Sequence, residues 1–414
     1  MFHYRPLTDP SKQIRLLKLE PVRGGADEIR ISLSSWDLAE APEYVAISYT
    51  WGSDKSTHRI CINDGGFCVR KNCSLALQEC QRNEVTAHIW IDALCINQTD
   101  MEEKSHQVAM MGTIFGQAVK TYVSLGSWDN ESSNQRSNIS ECRARFRTVV
   151  EDLGRLETPD WEHGDKPGLA KIEVHQRNSA LSYALRELEG ARYWRRLWVL
   201  QELFLSDRIA FFYPGGKPIE FRCLAKTYQR LFYIGNKGRH WQVQQLWNTD
   251  PLKIVILKMY PGSELGKWHG LMQNQWYKAQ WDVLLAEFSE WQCEDPRDKI
   301  YGLLPFMEWP ADVPPLRPDY SKTRMELAVQ LTAYCEPMDT WNVGSFLRSR
   351  MARWMFRLEH HSGELMRQAE LVQKAAMISF SNNDLGIVHL ILSIKVLDDV
   401  DEQDDKHIEE NLIW

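Results

Sequence analysis

Residues 44–53 read YVAISYTWGS, and this stretch decides the fold. Six apolar or β-favouring residues in a row, Tyr44 to Tyr49, predict a short strand buried on both faces. The run stops at Thr50-Trp51-Gly52-Ser53-Asp54, a turn-prone end. A second stretch repeats the plan. His88 to Ile91 predicts a buried strand that delivers Asp92-Ala-Leu-Cys95-Ile-Asn97-Gln98 onto the following loop. In open α/β sheets ligands bind outside the carboxyl ends of strands. Tyr49, Trp51, Gly52, Asp92, Asn97 and Gln98 are therefore candidates for one crevice.

Working outward, Ile14–Leu19 and Glu28–Leu33 predict a hairpin around Gly24 and Gly25. His58–Asn63 and Phe67–Arg70 predict a second, around Asp64-Gly-Gly66. A short helix follows Asn72 and Ser74, with Leu75, Leu77 and Cys80 apolar. Thr99-x-x-Glu102 reads as a capping box for a helix carrying Val108, Met111, Phe115 and Ala118 on one face. Lys120–Leu125 is the next strand. Residues 127–179 turn polar and read as an insertion, with one helix near Cys142–Leu156. Helices from Ser179 and over Tyr193–Leu203 lead to a third hairpin around Pro214-Gly-Gly216. Strands alternating with helices argue for an α/β layer with a parallel core. The expected division is a β extension at 1–43, an α/β domain at 44–213 and a mainly helical region at 214–414.

Length and composition narrow the function classes. The 414 residues suffice for two or three domains at roughly 150 residues each. A net charge of -7 disfavours a basic duplex-binding surface, so no nucleic-acid partner is expected. Nine cysteines, an odd number without CxxC, match neither a disulfide framework nor zinc-type spacing, so no metal is expected. The start of the chain lacks a signal peptide's apolar core, and Leu385–Leu397 is too short to span a bilayer. These features predict a cytoplasmic protein without a membrane span. GxSxG, HExxH, GxGxxG and Walker signatures are absent. Cys95, between a strand and polar residues, is a weaker candidate nucleophile.

Three blocks together carry a family resemblance: Ser48-Tyr-Thr-Trp-Gly52, Trp90-Ile-Asp-Ala-Leu-Cys-Ile-Asn-Gln98 and Arg196-Leu-Trp198-Val-Leu-Gln-Glu202. In this order they resemble the heterokaryon incompatibility (HET) domain of filamentous fungi. Asp295-Pro-Arg297-Asp298-Lys-Ile-Tyr301 resembles a block often found after that domain. The HET domain is in turn similar to the TIR domain, a flavodoxin-like fold of parallel strands flanked by helices. Locally, Trp198-Val-Leu-Gln-Glu202-Leu203 is similar to the TIR helix whose glutamate carries NAD glycohydrolase activity.

The resemblance implies nonself recognition leading to programmed cell death, with Glu202 as catalytic carboxylate and NAD as substrate rather than bound cofactor. Tyr49 or Trp51 would stack on the substrate, and Asp92, Asn97 and Gln98 would hold its polar groups. Trp198 would line the same site. Self-association on activation and an upstream recognition protein are implied partners. An oligomerising signalling module that recruits other death effectors is the non-enzymatic alternative. Each residue also has a structural reading. Glu202 pairs with Arg195 or Arg196. Trp51 and Trp198 anchor a core. Asp92 caps its turn, and Asn97 and Gln98 bond loop backbone. Arg297 and Asp298 form an ion pair or start a helix.

Overall fold

The computed structural model describes residues 1–21, 28–52, 57–126, most of 141–151, 188–213 and 216–225, and, further on, 291–307, 314–323 and scattered single positions. The chain forms two compact units, Met1–Trp276 and Tyr277–Trp414. Most of the expected helical C-terminal region, and all of the polar insertion outside 141–151, fall outside the described residues.

The first unit is built on one mixed sheet. Its strands are β1 (Gln13–Leu19), β2 (Arg30–Asp37), β3 (Tyr44–Tyr49), β4 (Thr57–Ile62), β5 (Gly65–Arg70), β6 (His88–Trp90), β7 (Lys120–Ser124), β8 (Ile209–Phe211) and β9 (Ile219–Glu220). Their spatial order is β5-β4-β2-β1-β6-β3-β7-β8-β9. The middle four, β6-β3-β7-β8, are mutually parallel. Antiparallel pairs close both flanks: β8 with β9 on one side, and on the other β1 with β6, β1 with β2, and β4 with β5. Within that second flank β2 and β4 run parallel.

Strand β3 is buried at all six positions, as a central parallel strand must be. Its alternate residues face different layers. Val45, Ile47 and Tyr49 join Ile89 and Ile91 in a core against helix α1 (Lys71–Arg82). That helix presents Cys73, Ala76, Leu77 and Cys80, the three-and-four spacing of one helical face. Tyr44, Ala46 and Ser48 point to the other layer. There α2 (Asp92–Cys95) follows β6, α3 (Met101–Gln117) precedes β7, and α4 (Val199–Phe204) precedes β8. The Tyr44 hydroxyl donates to the Ile114 carbonyl at 2.6 Å, and Trp90 meets Phe115 edge to face. A buried fork pins this layer. Arg15 of β1 gives both guanidinium nitrogens to Glu103 of α3, at 2.6 and 2.8 Å.

Local rules decided several details differently from the sequence expectations. The β4–β5 turn is the pair Asn63-Asp64, both with positive φ, and Gly65 and Gly66 lie in the strand. Asn and Asp tolerate the left-handed conformation such a two-residue turn demands. Helix α1 starts at Lys71, so Asn72 and Ser74 lie inside it. The α3 cap sits one residue later than Thr99: Asp100 accepts from the Glu103 amide at 3.0 Å. The expected helix over 193–203 is broken into a 3₁₀ turn, Arg192–Arg195, and α4. Helical residues do occur within 141–151.

In the second unit a short helix, α5 (Asp298–Tyr301), organises the described residues. Arg297 pairs with Asp295 at 2.6 Å and donates to the Tyr320 and Lys322 carbonyls. The Tyr320 hydroxyl donates to Asp298 at 2.6 Å. The helix-start reading of this block holds, since α5 begins at Asp298, whereas Arg297 forms its ion pair with Asp295 rather than Asp298.

Candidate functional site

Residue Ser48 is polar in an otherwise apolar strand, and its partners explain it. Its hydroxyl donates to the carboxylate of Glu202 and shares a 2.5 Å bond with the Tyr193 hydroxyl. Glu202 is 3% exposed. Arg196 grips it with both arms of the guanidinium, one nitrogen on each carboxylate oxygen, at 3.0 Å each. Arg196 has an extended backbone (φ -74, ψ 132) between the 3₁₀ turn and α4. That bend lets it fold back on a residue six positions ahead, outside the usual helical pairing distance. Its guanidinium also lies 5.9 Å from the Tyr193 ring centre.

A second group sits at the ends of β3 and β6. Trp51 donates its indole N–H to Asp92 Oδ2 at 2.6 Å, and the Ala93 amide donates to Oδ1 at 2.7 Å. Gln98 donates through Nε2 to the Asp92 carbonyl at 3.2 Å, and its Oε1 is buried without a protein partner. Burial pushes the Asp92 carboxyl up to about 6, and the nearby charge of Glu202 adds to that rise. Arg196 and the Trp51 bond oppose it. The Asp92 carboxyl thus feels the charges of both Glu202 and Arg196, which links the two groups electrostatically.

The loop that carries Trp51 is held from β5 and α1. Arg70 donates to the Gly52 carbonyl at 3.1 Å and lies over the Trp51 ring, 5.1 Å from its centre. Asn72 donates to the Thr50 carbonyl at 2.9 Å. Gly52 has φ +75, and a Cβ there would come within 2.7 Å of Asn72 Nδ2. Gly126, after β7, also has positive φ and faces the same Asn72 side chain. Asn72 thus stands between the loops that leave two adjacent parallel strands.

The structure brings together Trp51, Gly52, Asp92, Gln98 and Glu202 from the expected set. Trp198 is half-buried at the start of α4, where its carbonyl accepts from the Glu202 amide at 3.0 Å. Tyr49 points the other way, into the core against α1, 2% exposed, with its hydroxyl proton held by burial. Asn97 builds the entry to α3: its amide donates to Glu103 at 2.7 Å and its side chain accepts from Thr99. Cys95 is buried, with its thiol pushed up to about 12 by burial, so it is not poised as a thiolate. Sequence reasoning missed Ser48, Tyr193, Arg70 and Asn72. Only Ser48 carried a signal, as a lone hydroxyl within a buried run. Among the described residues no group of three His, Cys, Asp or Glu could hold a metal ion. No helix there is long and apolar enough to cross a membrane.

Residues 44–202 match the family model described as Heterokaryon incompatibility protein (HET). Among curated proteins the chain is similar to Heterokaryon incompatibility protein 6, OR allele, of Neurospora crassa, with 27% identity over 371 residues. The match covers 81% of this chain and 53% of that protein, so the chain spans about half the length of this relative. No solved structure matches the chain.

Proposed function

We propose that this protein acts in heterokaryon incompatibility as a cytoplasmic cell-death effector, and that its HET domain cleaves NAD at the nicotinamide–ribose bond. The observation that carries this reading is the placement of Glu202, a buried carboxylate beside Asp92 and Trp51 at the carboxyl ends of β3 and β6. Parallel strands β6-β3-β7-β8 stand second, first, third, fourth in chain order. This is the flavodoxin-like order, in which ligands bind where the order reverses. It supports a TIR-like assignment.

Nicotinamide leaves as a neutral molecule when the C1′–N bond breaks and the electron pair stays on nitrogen. Little acid assistance is needed. The ribosyl cation left behind needs a fixed negative charge and acceptors for its hydroxyls, which Glu202 supplies in a water-poor setting. Water then attacks C1′ and loses a proton, giving ADP-ribose. Trp51 offers the aromatic face and Gln98 the free amide oxygen. Self-association completes the site, and an upstream recognition protein sets the trigger.

Expression in fungal cells with NAD measurement tests this. Wild type kills as NAD falls, and Glu202→Gln abolishes both while the protein still accumulates. A second reading has its own support. Glu202 is saturated by Arg196 and Ser48, as a structural ion pair would be. On that reading the domain is an oligomerising module that recruits other effectors, and a folded Glu202→Gln still kills.

A further inference from the structure

We propose that Arg196 is a built-in competitor for the substrate's positive charge, so that the site takes a cationic N-ribosyl pyridinium in exchange for this guanidinium. The inference rests on the NAD reading above and adds a residue that sets its selectivity. Both carboxylate oxygens of Glu202 are occupied by Arg196, at 3.0 Å each, and Glu202 is 3% exposed. Arg196 and the Ser48 hydroxyl together make three bonds to that carboxylate, so a substrate cation competes directly with the guanidinium for its charge.

Removing the guanidinium without replacement is costly, because it leaves a buried carboxylate unpaired. Asp92 makes this worse, since its own carboxyl already feels both Glu202 and Arg196. Two neighbouring carboxylates sharing one cation accept an incoming cation far more readily than a neutral ring. Arg196 lies in the extended link between the 3₁₀ turn and α4, outside both, and Ser48 holds Glu202 through a bond of its own that does not involve the guanidinium. The Tyr193 ring beside the guanidinium offers an aromatic face to either cation.

The exchange predicts which ligands feel Arg196. NAD+ and NADH share diphosphate, adenosine and ribose and differ in the charge of the nicotinamide ring. Only the oxidised form competes with the guanidinium. Weakening the Arg196 grip should therefore tighten binding of NAD+ and leave NADH unchanged.

The test is equilibrium binding by calorimetry to the full chain, for wild type, Arg196→Lys and Arg196→Gln, with folding checked by circular dichroism. The ligands are NAD+, NADH and N-methylnicotinamide cation. Lys keeps the charge and loses the fork, so it holds the carboxylate less firmly. Arg196→Gln should bind NAD+ at least tenfold more tightly than wild type, with Arg196→Lys about threefold tighter, and NADH should show no such order. Should Arg196→Gln fail to fold, the Lys variant decides alone. Equal affinity of folded variants and wild type for NAD+, or the same gain for NADH, overturns the proposal. If NAD+ is bound and cleaved but the order is absent, the exchange fails and the NAD reading survives. If N-methylnicotinamide follows the order and NAD+ does not bind, the exchange survives and the NAD reading fails.

Discussion

At the scale of single residues, the site depends on how many charges one guanidinium can satisfy. Asp92 shows the strain, because its carboxyl is pushed up to about 6 by burial and by Glu202. The folded state therefore keeps a proton on Asp92 at a pH where the unfolded chain has lost it. Stability from this group is present below the ordinary carboxylate range, near pH 4, and is lost as pH rises towards 6. Asp92→Asn removes that dependence. Urea midpoints from pH 4 to 7 should fall more steeply for wild type than for the variant, by on the order of 2 kcal/mol across the window. Parallel pH profiles would contradict it. Glu79, pushed up to about 7 by burial, contributes in the same direction in both proteins and cancels in the comparison. Much of this site was legible in the sequence. Trp51, Asp92 and Glu202 lie on the three blocks, and the pairing of Glu202 with Arg196 was one of its structural readings. Tyr49 was misplaced because alternation along β3 turns it towards α1, a side that no single strand reveals.

At the scale of elements, the site's geometry rests on the junction of β5 and α1. Arg70 and Asn72 bond the Gly52 and Thr50 carbonyls, fixing the loop from which Trp51 reaches Asp92. Neither residue was legible as functional, since their partners lie about twenty positions away and depend on how β4 and β5 return to the sheet. The two loop glycines allow a graded test. At Gly52 a methyl group meets both an unfavourable φ of +75 and Asn72 at 2.7 Å, whereas at Gly126 the nearest Asn72 atom would be 3.6 Å away. Gly52→Ala should therefore cost about 2–3 kcal/mol, through strain and clash together, and Gly126→Ala about 1 kcal/mol, through backbone strain alone. Denaturant unfolding of both variants checks the order, and equal costs would show that Asn72 moves aside freely. The shifted α3 cap and the broken 193–203 helix were illegible for a related reason. Asp100 competes with Thr99 for the same role one residue apart, and the extended Arg196 that interrupts the 193–203 run carries no mark in helix propensity.

At the scale of the whole molecule, the family-matched segment is not a closed structural unit. The match covers 44–202, yet β1 and β8 lie outside it and cover the two edges of its parallel strands. Arg15, which neutralises the buried Glu103, also lies outside. A fragment of 44–202 would expose both edges and leave Glu103 unpaired, so it should aggregate on expression, whereas 1–276, the first compact unit, should be soluble and fold cooperatively. Soluble, cooperatively folding 44–202 would contradict this. The α/β layering was legible from alternating strand and helix patterns, and the three antiparallel strand pairs from their short β-favouring runs. The insertion of β2 and β1 between β4 and β6 was not, because strand order beyond neighbours in sequence leaves no local mark.

The central claim is that Glu202 cleaves NAD, and the most direct test is NAD turnover by the purified full chain. Wild type and Glu202→Gln are compared at high protein concentration with a crowding agent to favour assembly, and nicotinamide and ADP-ribose are quantified. The account predicts turnover by wild type and a loss of about a hundred- to a thousandfold in the variant, as removal of one group stabilising the transition state produces. A folded, assembled wild type that leaves NAD intact, or a Glu202→Gln variant that cleaves it as fast, would contradict it.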